Sequence, residues 1–200
     1  ALAALTGATL SLLPEGANAA GAAIAGALPH RGAAGEGVEP GLDVASMLSK
    51  PLPGYVLFGG LEPEVDTLVP DALAALRGAR LVVAVTPFAS ETLKSYAHVL
   101  LPIGTFAETS GTFVNVEGRW QSFAGCIRPL GEARPGWKVL RVLGNLLGLD
   151  GFDYDSSEQV REELRGRGPA EPGPAPAPPH GGAPPGAVPP AALYARAAQH

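Results

Sequence analysis

The sequence predicts an α/β fold, a doubly wound and mostly parallel sheet with an appended β-hairpin and a C-terminal helix, followed by a disordered Pro/Ala/Gly-rich tail. Three observations predict it. Short apolar runs alternate with helical segments between residues 55 and 102. A period-two stretch with a turn at its centre follows. An amphipathic stretch between Pro135 and Gly148 comes last.

The elements follow in order along the chain. Residues 10–13, Leu-Ser-Leu-Leu, predict a short buried strand stopped by Pro14, and the Ala/Gly-rich stretch 15–40 reads as irregular. Residues 55–58 form an apolar run ending at Gly59 and Gly60. The segment 70–77 predicts a helix, with Pro70 in the first turn, Asp71 near the positive helix end and Gly78 just beyond the last turn. Residues 81–85 are a largely β-branched run bounded by Thr86 and Pro87, and Ser90 suits the N-cap of a short helix reaching Tyr96. A third apolar run, 98–101, stops at Pro102. Runs apolar on both faces that alternate with helices belong in a parallel sheet covered on two sides, joined by right-handed crossovers.

Residues 113–121 then alternate with period two. Asn115 at the first turn position and Gly118 at the fourth suit a type I turn closed by a glycine with positive φ, which gives a hairpin with its tip at 116–118. Over 135–147, Trp137, Val139, Leu140, Leu143, Leu146 and Leu147 make a wide apolar stripe, expected to dock on the sheet. Residues 158–167 are compatible with a charged helix, and 191–200 with renewed helical character.

Composition divides the chain into a globular domain, 1–155, expected to be part of a longer chain, and a low-complexity tail, 156–200. Ten of the 21 prolines fall between Pro169 and Pro190, where the chain lacks the apolar surface to offset its ordering entropy. The net charge of −5 and the lack of a basic cluster argue against a nucleic-acid partner. No apolar stretch is long enough to insert directly into a membrane.

Candidate sites are sparse. With Cys126 as the only cysteine, this segment can form neither an internal disulfide nor a multi-cysteine cluster site. His30, His98, His180 and His200 show no metal-ligand spacing, so no metal site is expected. Cys126 has no histidine nearby to activate it and reads as a buried structural thiol. Ser110 lacks a nucleophile-elbow frame and suits loop hydrogen bonding. No catalytic residue is expected. In an open α/β sheet ligands bind beyond the carboxyl ends of the strands, which singles out three loops, 59–62, 86–89 and 102–109. Gly59 and Gly60 permit close backbone approach, without a GxGxxG pattern or a Walker lysine.

One stretch is more specific. Glu108-Thr-Ser-Gly-Thr-Phe-Val-Asn-Val-Glu-Gly-Arg-Trp-Gln121, followed by Pro129-Leu-Gly-Glu-Ala-Arg134 and Trp137, resembles the signature of molybdopterin oxidoreductases. The upstream 98–102 run resembles the strand that precedes it in that family. The resemblance implies one of two functions. Thr109 to Phe113, Arg119 to Gln121, and Glu15 to Gly21 look closer to the branch that supplies the large iron–sulfur subunit of respiratory complex I. That branch implies a scaffold within a proton-pumping NADH:quinone oxidoreductase. No cofactor would be bound by this segment, iron–sulfur clusters would lie elsewhere in the subunit, and FMN elsewhere in the complex. Its partners would be other subunits of complex I, in the peripheral arm on the cytoplasmic side of the bacterial inner membrane. The other branch comprises pterin-dependent molybdenum or tungsten enzymes such as formate dehydrogenases. Under it Gly59, Gly60, Glu62 and Thr86 would be the cofactor-binding residues. A non-catalytic α/β interaction module is a third possibility.

Overall fold

The computed structural model describes residues 5–8, 14 and 16–168. The strand expected at 10–13, the tail from 169 on and the helical character expected at 191–200 lie outside the described residues. The domain is built on a parallel sheet of three strands, β1 (Gly54–Phe58), β2 (Leu81–Thr86) and β3 (Val99–Pro102), in the order β1-β2-β3. Before it come helices α1 (Ala19–Ala25) and α2 (Val44–Ser49). Between β1 and β2 lie α3 (Pro63–Asp66) and α4 (Ala72–Arg77), and between β2 and β3 lies α5 (Glu91–Lys94).

Register decides which side chains make the core. Tyr55 pairs with Val82, Leu57 with Ala84, and Ala84 in turn with Leu100, so these residues share one face. Leu48 of α2, Ala72, Ala75 and Leu76 of α4, and Leu93 and Tyr96 close over that face. His98 locks the start of β3 to β2. Its imidazole Nδ1 accepts from the Val82 N–H at 3.0 Å, while the His98 backbone N–H donates to the Val82 carbonyl.

Local signals work largely as the residues suggest. Ser90 caps α5, its Oγ accepting from the Leu93 N–H at 3.0 Å. The helix expected over 70–77 begins later. Pro70 lies outside it, and Asp71 is the N-cap residue in the left-handed region (φ 61°), with no capping side-chain bond. The stretch 15–40 is not wholly irregular, since α1 and a 3-10 turn at Ala33–Gly35 form within it. Small residues let α1 pack closely there, and a run of alanines and glycines hides that behind weak periodicity.

The hairpin consists of β4 (Gly111–Val114) and β5 (Trp120–Phe123), antiparallel, with Val114 opposite Trp120. At its tip the Asn115 carbonyl accepts from the Gly118 N–H at 2.9 Å. Asn115 Oδ1 accepts from the N–H groups of Glu117 and Arg119, both at 3.0 Å. Gly118, with φ 78°, supplies the positive dihedral the turn requires.

The last elements are α6 (Gly136–Leu146) and α7 (Ser157–Arg167). At the end of α6 Gly148 and Leu149 donate to the carbonyls of Asn145 and Gly144, a Schellman stop. Docking of α6 differs from the expectation. Its leucine stripe does not cover the sheet, and Leu146 and Leu147 are 80% and 65% exposed. Contact runs through glycine instead. A Cβ on Gly136 would lie 2.7 Å from the Phe58 ring, and one on Gly144 2.3 Å from the Phe152 ring. The first contact is with the sheet, and in the second Phe152, beyond the helix, folds back on it. Helix α7 is stitched to the hairpin by polar contacts. Arg161 Nη1 donates to Ser122 Oγ at 2.7 Å, and Arg165 stacks over Trp120.

Leu76 has no exposed surface and lies at the centre of the core. Leu76→Ala is expected to destabilise the domain by about 2–5 kcal/mol. Ser90→Ala, which removes a cap, should cost about 1–2 kcal/mol. Denaturant unfolding checks both.

Candidate functional site

The loops after β1 and β2 meet at the carboxyl edge of the sheet, and they bring Gly59, Gly60, Glu62 and Thr86 together. Gly59 and Gly60 both have positive φ, 95° and 85°. A Cβ on Gly60 would lie 3.1 Å from Thr86 Oγ1, so the backbone passes directly over that side chain.

The side chains of Thr86 and Glu62 are both engaged with the chain itself. Thr86, 6% exposed, has its hydroxyl 2.9 Å from the Phe88 carbonyl and 3.3 Å from that of Gly59, and it accepts from the Phe88 N–H. Glu62 accepts a short hydrogen bond from the Ser90 hydroxyl. The Glu62 N–H in turn donates to Asp66 Oδ2 at 2.7 Å. Tyr96 donates its phenolic proton to the Leu61 carbonyl. Burial, and then the charges of Glu62 and Asp66, push the Tyr96 phenol up to about 12. Tyr96 is therefore a neutral donor that ties α5 to the loop, and it is no base at ordinary pH.

Charge also sets what this edge accepts. Residues 59–71 contain Glu62, Glu64, Asp66 and Asp71 and no lysine or arginine. Under the pterin-dependent reading this edge would have to offer an anionic group donors or cations. An anionic group meets a glutamate rather than a cation, and a hydroxyl whose proton is already donated within the loop. As arranged, the side chains of Glu62 and Thr86 offer such a group no cation and no open donor.

Two cavities lie nearby. The larger, about 860 Å³, runs beside α3 and α4 between Pro63 and Gly78 and includes neither Gly59 nor Thr86. The other, about 340 Å³, follows β1 and α2 and takes in Gly60 and Leu61 at one end. Its walls are apolar, with Met47, Leu48, Leu52 and Leu57 among them. Among the described residues no group of three or more His, Cys, Asp or Glu could hold a metal ion.

The third loop leads into the signature segment, where Glu108 serves as a tie. Glu108 closes a capping box with Thr105, accepting from the Thr105 N–H at 2.8 Å, and its other oxygen accepts from the Leu130 N–H at 3.1 Å. The Thr105 N–H foremost, with the Thr105 hydroxyl and the Leu130 N–H, holds the Glu108 carboxyl below its ordinary range, against partial desolvation. Ser110 bonds the Ser157 hydroxyl at 2.7 Å, a loop role. Cys126 is exposed, not buried as expected. Its N–H is held by the Ala107 carbonyl, but the loop that carries it lies on the surface and its side chain points to no core.

Sequence reasoning missed one contact. Asn18 precedes α1 at the N-cap position but makes no capping bond. Its Oδ1 instead accepts from the N–H of Val114 at 2.7 Å, across 96 residues. A Cβ on Gly21 would lie 2.0 Å from that same oxygen. The Asn-x-x-Gly spacing at 18–21 is thus a latch, in which the glycine clears the path for the amide. The signal was legible only as a motif, because spacing does not tell where a side chain reaches.

Three substitutions test these ties. Asn18→Ala and Gly21→Ala should each cost about 1–3 kcal/mol, since either one leaves the buried Val114 N–H unpaired. The double variant should cost little more than one alone, because both break the same bond. Glu108 has a depressed folded pKa, so its stabilising contribution is present above the ordinary value of 4.5 and lost as pH falls through the folded value. Glu108→Gln is accordingly expected to lower Tm at neutral pH, with a deficit that shrinks on acidification.

Comparison with known proteins bears on the whole domain. The family model described as "Molybdopterin oxidoreductase" matches residues 3–146. A Staphylococcus aureus (strain bovine RF122 / ET3-1) protein named "Putative formate dehydrogenase" is 32% identical over 108 residues, 54% of this chain and 11% of its own length. A protein of the same description from Staphylococcus haemolyticus is 29% identical over 117 residues, 58% of this chain and 12% of its own. The match thus covers only about a tenth of these curated relatives. With the parallel sheet, the hairpin and the family model all in register along most of its length, the chain belongs to the molybdopterin oxidoreductase family.

Proposed function

We propose that this domain is a scaffold portion of the large iron–sulfur subunit of a proton-pumping NADH:quinone oxidoreductase. It would lie in the peripheral arm of that complex, on the cytoplasmic side of the bacterial inner membrane, against other subunits. Electrons would pass through clusters held elsewhere in the subunit, having entered through FMN elsewhere in the complex. None would pass through these residues.

One observation carries this reading. At the carboxyl edge of the sheet, where an α/β domain offers its ligand site, Thr86 and Glu62 close on Phe88 and Ser90 of the same chain. The surrounding loop is acidic. A domain that binds an anionic cofactor keeps donors and cations open to it. This one uses the hydroxyls of Thr86, Ser90 and Tyr96 to fasten the loop after β1 to the loop after β2 and to the end of α5. Among the described residues no helix is long and apolar enough to cross a membrane.

A second reading is a pterin-dependent oxidoreductase acting on formate or a similar substrate. What favours it is the description shared by the two relatives above. The substrate of such a protein stays a proposal for this chain, given the small share of those relatives that it spans.

Metal analysis of the purified full-length protein separates the two. The scaffold reading expects iron with no stoichiometric molybdenum or tungsten, together with NADH-dependent quinone reduction by the assembled complex. Stoichiometric molybdenum or tungsten with formate-dependent electron transfer would overturn it in favour of the second.

A further inference from the structure

The carboxyl edge of the sheet also carries large apolar side chains that the domain leaves mostly in water. Phe58 is the last residue of β1, and Phe88 lies two residues past the end of β2. Phe106 opens the 3-10 turn Phe106–Glu108 that follows β3. They are 55%, 72% and 79% exposed. Leu130, 85% exposed, joins them, because its N–H is held by Glu108 in that same turn.

The backbone sets these residues side by side. Phe58 pairs with Val85, Val85 with Leu101, and Ile103 donates to the Thr86 carbonyl, so the three strand ends lie level. Neighbouring strands are about 4.8 Å apart, which brings the three ends within about 10 Å of one another. Large apolar side chains gathered at one edge mark an interaction surface. Aromatic rings are what the centres of protein interfaces are built from. The flanks of the patch are charged unequally. Beside β1 stand Glu62, Glu64 and Asp66 with no lysine or arginine, while Arg128, Glu132 and Arg134 mix both signs on the other side. An acidic flank repels anionic lipid headgroups and nucleic acid, and it attracts lysine and arginine.

We infer that this edge docks a separate protein subunit, one that offers an apolar hollow to Phe88 and Phe106 and a lysine or arginine to the acidic flank. The inference rests on the scaffold reading above and names the surface through which such a scaffold meets its neighbour. The hydroxyls of Thr86 and Ser90 already hold the two loops in place, so little freedom is lost on docking.

Hydroxyl-radical footprinting of the full-length subunit, alone and in its assembled complex, tests this, with free phenylalanine added to match the radical dose. Phe88 and Phe106 are expected to be oxidised about tenfold more slowly in the complex, as befits side chains shut away from water. Glu64→Lys is expected to slow reassembly of the subunit several-fold at low salt, with the difference lost at high salt. Equal oxidation with and without the other subunits would overturn the inference, as would a full-length protein that joins no other subunit. Slow oxidation in the subunit alone would assign the cover to its own polypeptide, or to a second copy if it grew with concentration, and would overturn it too. A reassembly rate unchanged by Glu64→Lys would overturn the charge match. Metal content of the same preparation tests the parent reading separately. Stoichiometric molybdenum with protected rings would sink the scaffold role and leave the docking surface standing.

Discussion

Three parallel strands that are apolar on both faces have to be covered on both, and the rest of this domain follows from that constraint. On one face the crossover segments α3, α4 and α5, with α2, bring Leu48, Leu76, Leu93 and Tyr96 onto Tyr55, Val82 and Ala84. On the other, α6 can approach only because Gly136 lacks a side chain where Phe58 and Ile103 lie. Aromatic rings set against glycines are a close but local contact. They leave much of the apolar surface of α6 in water, and part of the sheet as well.

The parts of this arrangement that were legible in the sequence share a physical cause. A β-branched run such as Val82, Val83 and Val85 has few other uses. Ser90 before a short helix and Asn115 with Gly118 in a turn are local chemistry, and local chemistry can be read from neighbours. What was not legible depended on distance in the fold. The docking of α6 through Gly136 and Gly144, the exposure of Cys126 and the reach of Asn18 to Val114 all depend on what lies opposite. Helix α1 was hidden for a related reason, since an alanine and glycine run carries almost no periodic contrast. The four residues singled out at the strand ends do converge, because the topology of a parallel sheet places loops there. Their hydrogen-bond partners could not be foreseen.

Those partners bear on function. Loops at the carboxyl edge of an α/β sheet are where such folds recruit ligands, and the chemistry of a site decides whether they do. Here a threonine and a glutamate, with a tyrosine whose phenol stays protonated, bind the loops to one another. Glu108 does the same for the signature segment, joining the turn at Thr105 to the backbone at Leu130. Of the charged residues in that segment, Glu108 ties parts of the chain 22 residues apart, while Glu117 and Arg119 pair locally at the hairpin tip. Membership in the molybdopterin oxidoreductase family and a structural role for this segment are therefore compatible.

The most direct test of that role is the structure of the full-length protein at the carboxyl ends of β1 and β2, determined by electron cryo-microscopy. The account predicts that Thr86 still engages Phe88, and Glu62 still engages Ser90, with solvent or protein beyond them. Density for a pterin or its diphosphate in contact with Gly60 and Thr86 would contradict it.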